Sequence, residues 1–171
     1  MSLEIEKTIV LVGLMGAGKT SIGKRLAKNL ELEFRDSDRE IEEKMGCSIA
    51  EIFESFGEPY FRKIEQETIE NLLKTKPPHI LATGGGAFVN PETRAIIKEY
   101  GTSVWLRAEL NVLVDRVSRK NHRPLLEKGD KSEILGQLIE QRYPAYTEAD
   151  FVVDSDSGPH YKVVEQIIWK L

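Results

Sequence analysis

The sequence predicts an α/β fold: one parallel sheet with helices on both faces. Three observations predict it. Strand-like and helix-like segments alternate along the chain, as repeated strand–helix–strand units require. Short β-branched runs such as Thr8-Ile9-Val10-Leu11-Val12 are apolar at successive positions, so both faces of the strand are buried. The stretch Gly13-Leu14-Met15-Gly16-Ala17-Gly18-Lys19-Thr20 joins that run to a helical pattern, the setting in which a glycine-rich loop cradles phosphate.

Five strands are expected, near 8–13, 32–35, 79–83, 102–107 and 150–153. The first helix, 19–30, repeats Ile22, Leu26, Ala27 and Leu30 at helical spacing, with Lys24, Arg25 and Lys28 on the other face. The second strand, around Phe34, has the thinnest apolar pattern. Helices at 37–45 and 48–55 each open on a capping box, Ser37-Asp38-Arg39-Glu40 and Ser48-Ile49-Ala50-Glu51. A longer helix covers 58–74. The third strand, His79-Ile80-Leu81-Ala82, runs into Thr83-Gly84-Gly85-Gly86. Asn90-Pro91 sets a capping residue before a proline at the first helical position of 91–99. Helices at 109–119, 132–143 and 160–170 complete the pattern, and Arg142 is expected to end its helix before Tyr143-Pro144. Residues 120–132 are polar, with Pro124 and Gly129, and are expected as a loop; one of that length in a compact domain is usually functional.

Composition narrows the function. The 171 residues suit one domain, 40% hydrophobic and 30% charged, without repeat or linker. A net charge of −4 argues against a nucleic-acid binder with a broad basic surface. A local basic cluster, Arg116, Arg119, Lys120, His122 and Arg123, suits a small anion instead. The single cysteine, Cys47, permits no intrachain disulfide and fits a cytoplasmic protein. The acidic N-terminal segment does not read as a signal peptide, and no apolar run is long enough to span a membrane.

The chemistry centres on residues 13–20. Lys19 can reach the β- and γ-phosphates of a nucleotide, and the Thr20 hydroxyl can ligate Mg²⁺. Asp36-Ser37-Asp38 follows the second strand, and ligands of open parallel sheets gather at the carboxyl ends of strands. One carboxylate could hold Mg²⁺ through water and the other could receive a proton from a substrate hydroxyl; capping of the next helix is the structural alternative. Three glycines at 84–86 allow close approach of a ligand to backbone, where a plain turn needs only one or two. Arg62 stands four residues from Glu58, so an exposed ion pair is its simplest role. Arg123 and Arg142 are individually uninformative. The three histidines lack metal-ligand spacing, and Phe53, Phe56, Phe61 and Trp105 read as core.

In this order the motifs resemble shikimate kinase: residues 13–20, Asp36-Ser37-Asp38, Gly57-Glu58 with Phe61-Arg62 and Glu65, Gly84-Gly85-Gly86, Arg123-Pro124-Leu125-Leu126, and Arg142-x-Pro144-x-Tyr146. The resemblance covers nearly the whole chain. It implies a P-loop NTPase fold of the nucleoside monophosphate kinase type, strand order 2-3-1-4-5, in a single kinase domain over 1–171. The substrate region would lie at about 36–74 and a lid at about 120–132. It implies transfer of the γ-phosphoryl of ATP to the 3-hydroxyl of shikimate, on the chorismate route to aromatic amino acids, with Mg²⁺, by a cytoplasmic monomer. By resemblance, Gly16, Ala17, Gly18, Lys19, Thr20 and Ser21 hold the phosphates. Thr20 and Asp36 serve Mg²⁺, and Arg116 stacks on adenine, opposite Pro159. Asp38, Arg62, Gly84, Gly85, Gly86 and Arg142 take shikimate, whose carboxylate suits the planar fork of arginine. Lys19, Asp38 and Arg123 carry the catalysis, Arg123 arriving with the lid. The alternatives are another small-molecule kinase of this fold, such as a gluconate kinase; a GTP switch, whose Asn-Lys-x-Asp motif is absent; and an ATP binder without turnover.

Overall fold

In a computed structural model, which describes residues 3–119, 130–155 and 158–171, the apolar run Thr8–Val12 forms β1, buried along its whole length at the centre of the sheet. The other strands are β2 (Phe34–Asp36), β3 (Ile80–Ala82), β4 (Gly101–Arg107) and β5 (Phe151–Asp154). All are parallel, in the order β2-β3-β1-β4-β5, as the family resemblance implied. Ile9 lies opposite Ile80 on one side and Thr102 on the other, so β1 is paired along both edges. That explains why its sequence is continuously apolar rather than alternating.

Eight helices are described: α1 (Lys19–Leu30), α2 (Ser37–Met45), α3 (Ile49–Phe56), α4 (Glu58–Thr75), α5 (Pro91–Tyr100), α6 (Leu110–Ser118), α7 (Lys131–Tyr146) and α8 (His160–Lys170). The main core joins β1 to α1 through Ile22 and Leu26, to α6 through Leu113 and Val117, and to α8 through Val163 and Ile167. A smaller cluster, Ile41, Ile52, Phe61 and Ile64, ties α2, α3 and α4 together beside it. None of the described helices is long and apolar enough to cross a membrane.

Two of the expected caps, Ser48 and Asn90, are present. Ser48 Oγ accepts from Glu51 N–H at 3.1 Å, and Asn90 Oδ1 accepts from Glu92 N–H at 3.0 Å. Four local expectations differ. β2 is only three residues long and ends on Asp36, which itself caps α2 by accepting from Asp38 N–H (2.9 Å) and Arg39 N–H (3.4 Å). Ser37 is therefore inside the helix, not its cap. A 3₁₀ turn at Ala87–Val89, unmarked by any pattern, follows the three glycines. α7 runs through Pro144 to Tyr146, so Arg142 sits inside the helix. The tyrosines on either side of that proline hold the last turn in place: Tyr143 Oη donates to Ala108 O at 2.6 Å, and Tyr146 Oη donates to Gly85 O. Phe56 is 55% exposed, paired with Tyr60 at 4.6 Å between ring centroids, and is not core. Of the expected loop at 120–132, residues 120–129, with Arg123, lie outside the described residues, while 131 and 132 begin α7.

Candidate active site

The carboxyl ends of β1, β2 and β3 open onto one cavity of about 790 Å³. Its floor is the phosphate loop. Gly16 and Gly18 adopt φ of 87° and 96°, a left-handed backbone that a side chain resists, and Gly16, Gly18, Lys19, Thr20 and Ser21 all line the space. Ala17 is buried beneath them, its N–H donating to Leu14 O at 3.1 Å. Lys19 opens α1 and turns its ammonium back onto the loop, donating to Gly13 O and, at 3.2 Å, to Leu14 O. The N-terminus of α1 adds its partial positive charge to that ammonium, which makes this end of the cavity an anion site.

Thr20 and Asp36 line the cavity together. Among the described residues no cluster of three or more His, Cys, Asp or Glu side chains could hold a metal unaided. The donor set fits Mg²⁺ bound with nucleotide, because that ion keeps several waters and takes one or two protein oxygens beside phosphate. Asp36 caps α2 through Oδ1, the structural alternative, and the same residue lines the cavity.

The other end of the cavity combines two carboxylates and two arginines. Asp38 is half-buried, but its Oδ1 is sealed from solvent without a hydrogen-bond partner. Burial, reinforced by the negative charges of Glu65 and Asp36, pushes its carboxyl up to about 7 against the pull of Lys19 and Arg62. Glu65 is 1% exposed; burial raises its carboxyl too, and Arg62 opposes that shift. Arg62 Nη1 donates to Glu65 Oε1 at 2.8 Å, while the expected bond to Glu58 is longer, 3.4 Å. The inner partner dominates because it lies in the drier setting. Arg62 is therefore drawn to the cavity wall, not left as surface decoration.

The three glycines make room for these arginines. A Cβ on Gly85 would lie 2.6 Å from Arg142 Nη1, and one on Gly86 would lie 2.5 Å from Arg62 Cζ. A Cβ on Gly84 would meet Asp38 Oδ1 and Glu65 Oε2, each at 3.0 Å. Ala87 N–H bonds to Gly84 O at 3.1 Å, so the unpredicted 3₁₀ turn fixes the plane of the Gly84–Gly85 peptide. Ile49, Phe53 and Phe61 form an apolar wall beside the arginines, with Phe53 and Phe61 4.7 Å apart.

Toward the opposite side lie Asn111, Asp115, Arg116, Arg119, Gly158 and His160. Arg116 Nη1 donates to Gly16 O at 3.0 Å and Ala17 O at 3.1 Å. Pro159 is the exposed residue before α8; its neighbours Gly158 and His160 face the cavity and it does not. In the sequence Phe53 reads as core, and Glu65 and Tyr146 appear in the family motifs without a role of their own. The role of Glu65 follows from its place one turn after Arg62, which points the two side chains the same way on a helix; nothing local shows that Phe53 lines the cavity or that Tyr146 bonds to Gly85.

The family model described as shikimate kinase matches residues 15–171. A shikimate kinase of Caulobacter vibrioides is 55% identical over 165 residues, covering 96% of this chain and 82% of its own. One of Paramagnetospirillum magneticum is 54% identical over 165 residues, with coverages of 96% and 84%. The solved shikimate kinase from Acinetobacter baumannii, in complex with shikimate, superposes with a TM-score of 0.92 at 37% identity, over 98% of this chain and 93% of that one. A match through the phosphate loop alone would show only a nucleotide-binding fold. This one runs on through the carboxylates, the paired arginines and the last helix, and the chain therefore belongs to the shikimate kinase family.

Proposed function

We propose that the chain transfers the γ-phosphoryl group of ATP to the 3-hydroxyl of shikimate, giving shikimate 3-phosphate and ADP. The observation that carries this is the meeting, in one cavity, of a phosphate loop with a sealed carboxylate and two arginines set against bare glycine backbone. Shikimate has one carboxylate and three neighbouring hydroxyls. Arg62 and Arg142 suit the carboxylate as planar donors. Asp38 suits a hydroxyl, and the amide of Gly85 offers a further donor.

In the reaction, residues 16–21 and Lys19 hold the phosphates, with Arg116 against the base. Thr20, and Asp36 through water, would hold Mg²⁺, which would supply positive charge to the phosphate oxygens. Asp38 orients the 3-hydroxyl and takes its proton as the new O–P bond forms and the bond to ADP breaks. A carboxyl poised near 7 is matched to that task. Lys19, and Arg123 by resemblance, offset the charge that develops on the transferred group. All these groups belong to one chain, so a monomer suffices; the cytoplasm supplies the nucleotide.

The test is an ADP-release assay on purified protein with shikimate, gluconate and a nucleoside monophosphate as acceptors, Mg²⁺ present throughout. Turnover is expected with shikimate and at least a hundredfold less with the others. Turnover with gluconate and none with shikimate would assign the site to a different acceptor.

A further inference from the structure

A loop that turns its N–H groups inward to phosphate turns carbonyls outward, and buried carbonyls need donors. For Ala17 the donors come from two distant parts of the chain. Ser155, directly after β5, donates from Oγ to Ala17 O at 2.6 Å, and Arg116 from α6 adds a bond to the same oxygen at 3.1 Å. The two donors are themselves linked, Arg116 Nη1 to Ser155 Oγ at 3.0 Å. Ser155 is fully enclosed, and its N–H donates to Arg107 O at 2.6 Å, which extends the β4–β5 ladder one residue beyond the strand. So a rigid sheet edge reaches across 138 residues of sequence to one peptide of the phosphate loop.

That peptide has little of its own to hold it. Gly16 and Gly18, on either side of Ala17, are both left-handed and conformationally permissive. In a trans peptide C=O and N–H point in opposite directions. Anchoring the Ala17 carbonyl on Ser155 therefore turns the Gly18 N–H away from Ser155, and Gly18 lines the cavity while Ser155 does not.

We propose that Ser155 is a positioning residue for the nucleotide: its hydroxyl, together with Arg116, locks the Ala17–Gly18 peptide in the orientation that presents N–H to phosphate. This inference rests on the ATP-dependent reading given above, but not on the identity of the acceptor. Nothing about Ser155 in the sequence, the first of two serines after a strand, signals the role.

The experiment combines Mg-ADP calorimetry with steady-state kinetics on Ser155→Ala and Ser155→Cys, the second keeping the volume with a weaker donor. Ser155→Ala should weaken Mg-ADP binding about 5–20-fold and raise the KM for ATP by a similar factor, as loss of one hydrogen bond predicts. The KM for shikimate should change less than twofold, and Ser155→Cys should fall between. An equal rise in both KM values would assign Ser155 to general packing and overturn the proposal, as would wild-type Mg-ADP affinity in either variant that folds. If the wild-type chain binds Mg-ADP yet does not phosphorylate shikimate, the acceptor reading fails while the calorimetric comparison still decides Ser155.

Discussion

At the residue scale, Asp38 makes the sharpest pH statement. Its carboxyl sits at about 7 in the fold against 3.8 ordinarily. Between those values the folded protein binds more protons than the unfolded chain, so stability falls as pH rises through the window. The penalty of the ionised group is absent below the lower value and complete above the upper one, on the order of 1–4 kcal/mol. Asp38→Asn should therefore raise the Tm of the unliganded protein at about pH 8 and leave it unchanged at about pH 4, with activity abolished at both. An equal gain at the two pH values would mean that Asp38 carries no charge penalty. In the wild type, kcat/KM should fall as pH drops through about 7, where the carboxylate takes up a proton. The two arginines separate along another axis. Arg62→Ala and Arg142→Ala should each weaken shikimate binding by roughly 2–5 kcal/mol and spare Mg-ADP, read by calorimetry. Arg62→Ala should lower the Tm more than Arg142→Ala, because it removes the cation bonded directly to the buried Glu65.

At the element scale, the start of α2 and the glycine turn each serve two ends. Asp36 is both helix cap and candidate metal ligand, and the two can be parted. Asp36→Ser keeps a capping oxygen, so its unfolding free energy should stay within roughly 0.5 kcal/mol of wild type, whereas Asp36→Ala should lose about 1 kcal/mol. Both should need more Mg²⁺ for half-maximal rate; an unchanged Mg²⁺ dependence would leave Asp36 a cap and nothing more. The glycine turn was legible as a place of close approach, but not what approaches. It is the guanidinium groups of Arg62 and Arg142 that occupy the space. Gly86→Ala should displace Arg62, a flexible side chain, and so raise the KM for shikimate about tenfold or more, with a change in Tm smaller than that of Arg62→Ala.

On the scale of the whole molecule, the cavity is bounded by elements from both clusters of the core: the phosphate loop and β3 from one, α3 and α4 from the other. Ligands that fill it should therefore join the two. With Mg-ADP and shikimate each at about a hundred times its Kd, each site adds roughly 2.7 kcal/mol of stability. At about 2–4 °C per kcal/mol for a chain of this size, both together should raise the Tm by roughly 10–20 °C. Calorimetric scans showing a shift with nucleotide and none with shikimate would remove the acceptor from this cavity. The role that the family resemblance gives Arg123 bears on the rate rather than on this equilibrium. Arg123→Ala should cut kcat by about 10³-fold with little change in either Kd, as for positioned arginines in other phosphoryl-transfer enzymes.

The sequence by itself determined what local physics writes locally. Continuous apolar runs marked the parallel strands, the spacing of Ile22 and Leu26 marked a helix, and Ser48 and Asn90 marked helix starts. Each depends on residues within a few positions of one another. The glycine spacing of residues 13–20 marked phosphate binding for the same reason: the loop makes its site from its own backbone. Only the tertiary structure decided the rest, because the deciding partner lies far along the chain. Burial by the packed helices, with Glu65 and Asp36 close by, lifts Asp38 toward neutrality. Arg62 turns inward because the interior makes Glu65 its stronger partner. α7 continues past Pro144 because Ala108 and Gly85 receive its tyrosines. Ser155 matters only because parallel pairing sets the end of β5 beside the phosphate loop. No window of sequence holds both partners of such contacts, and the fold is what brings them together.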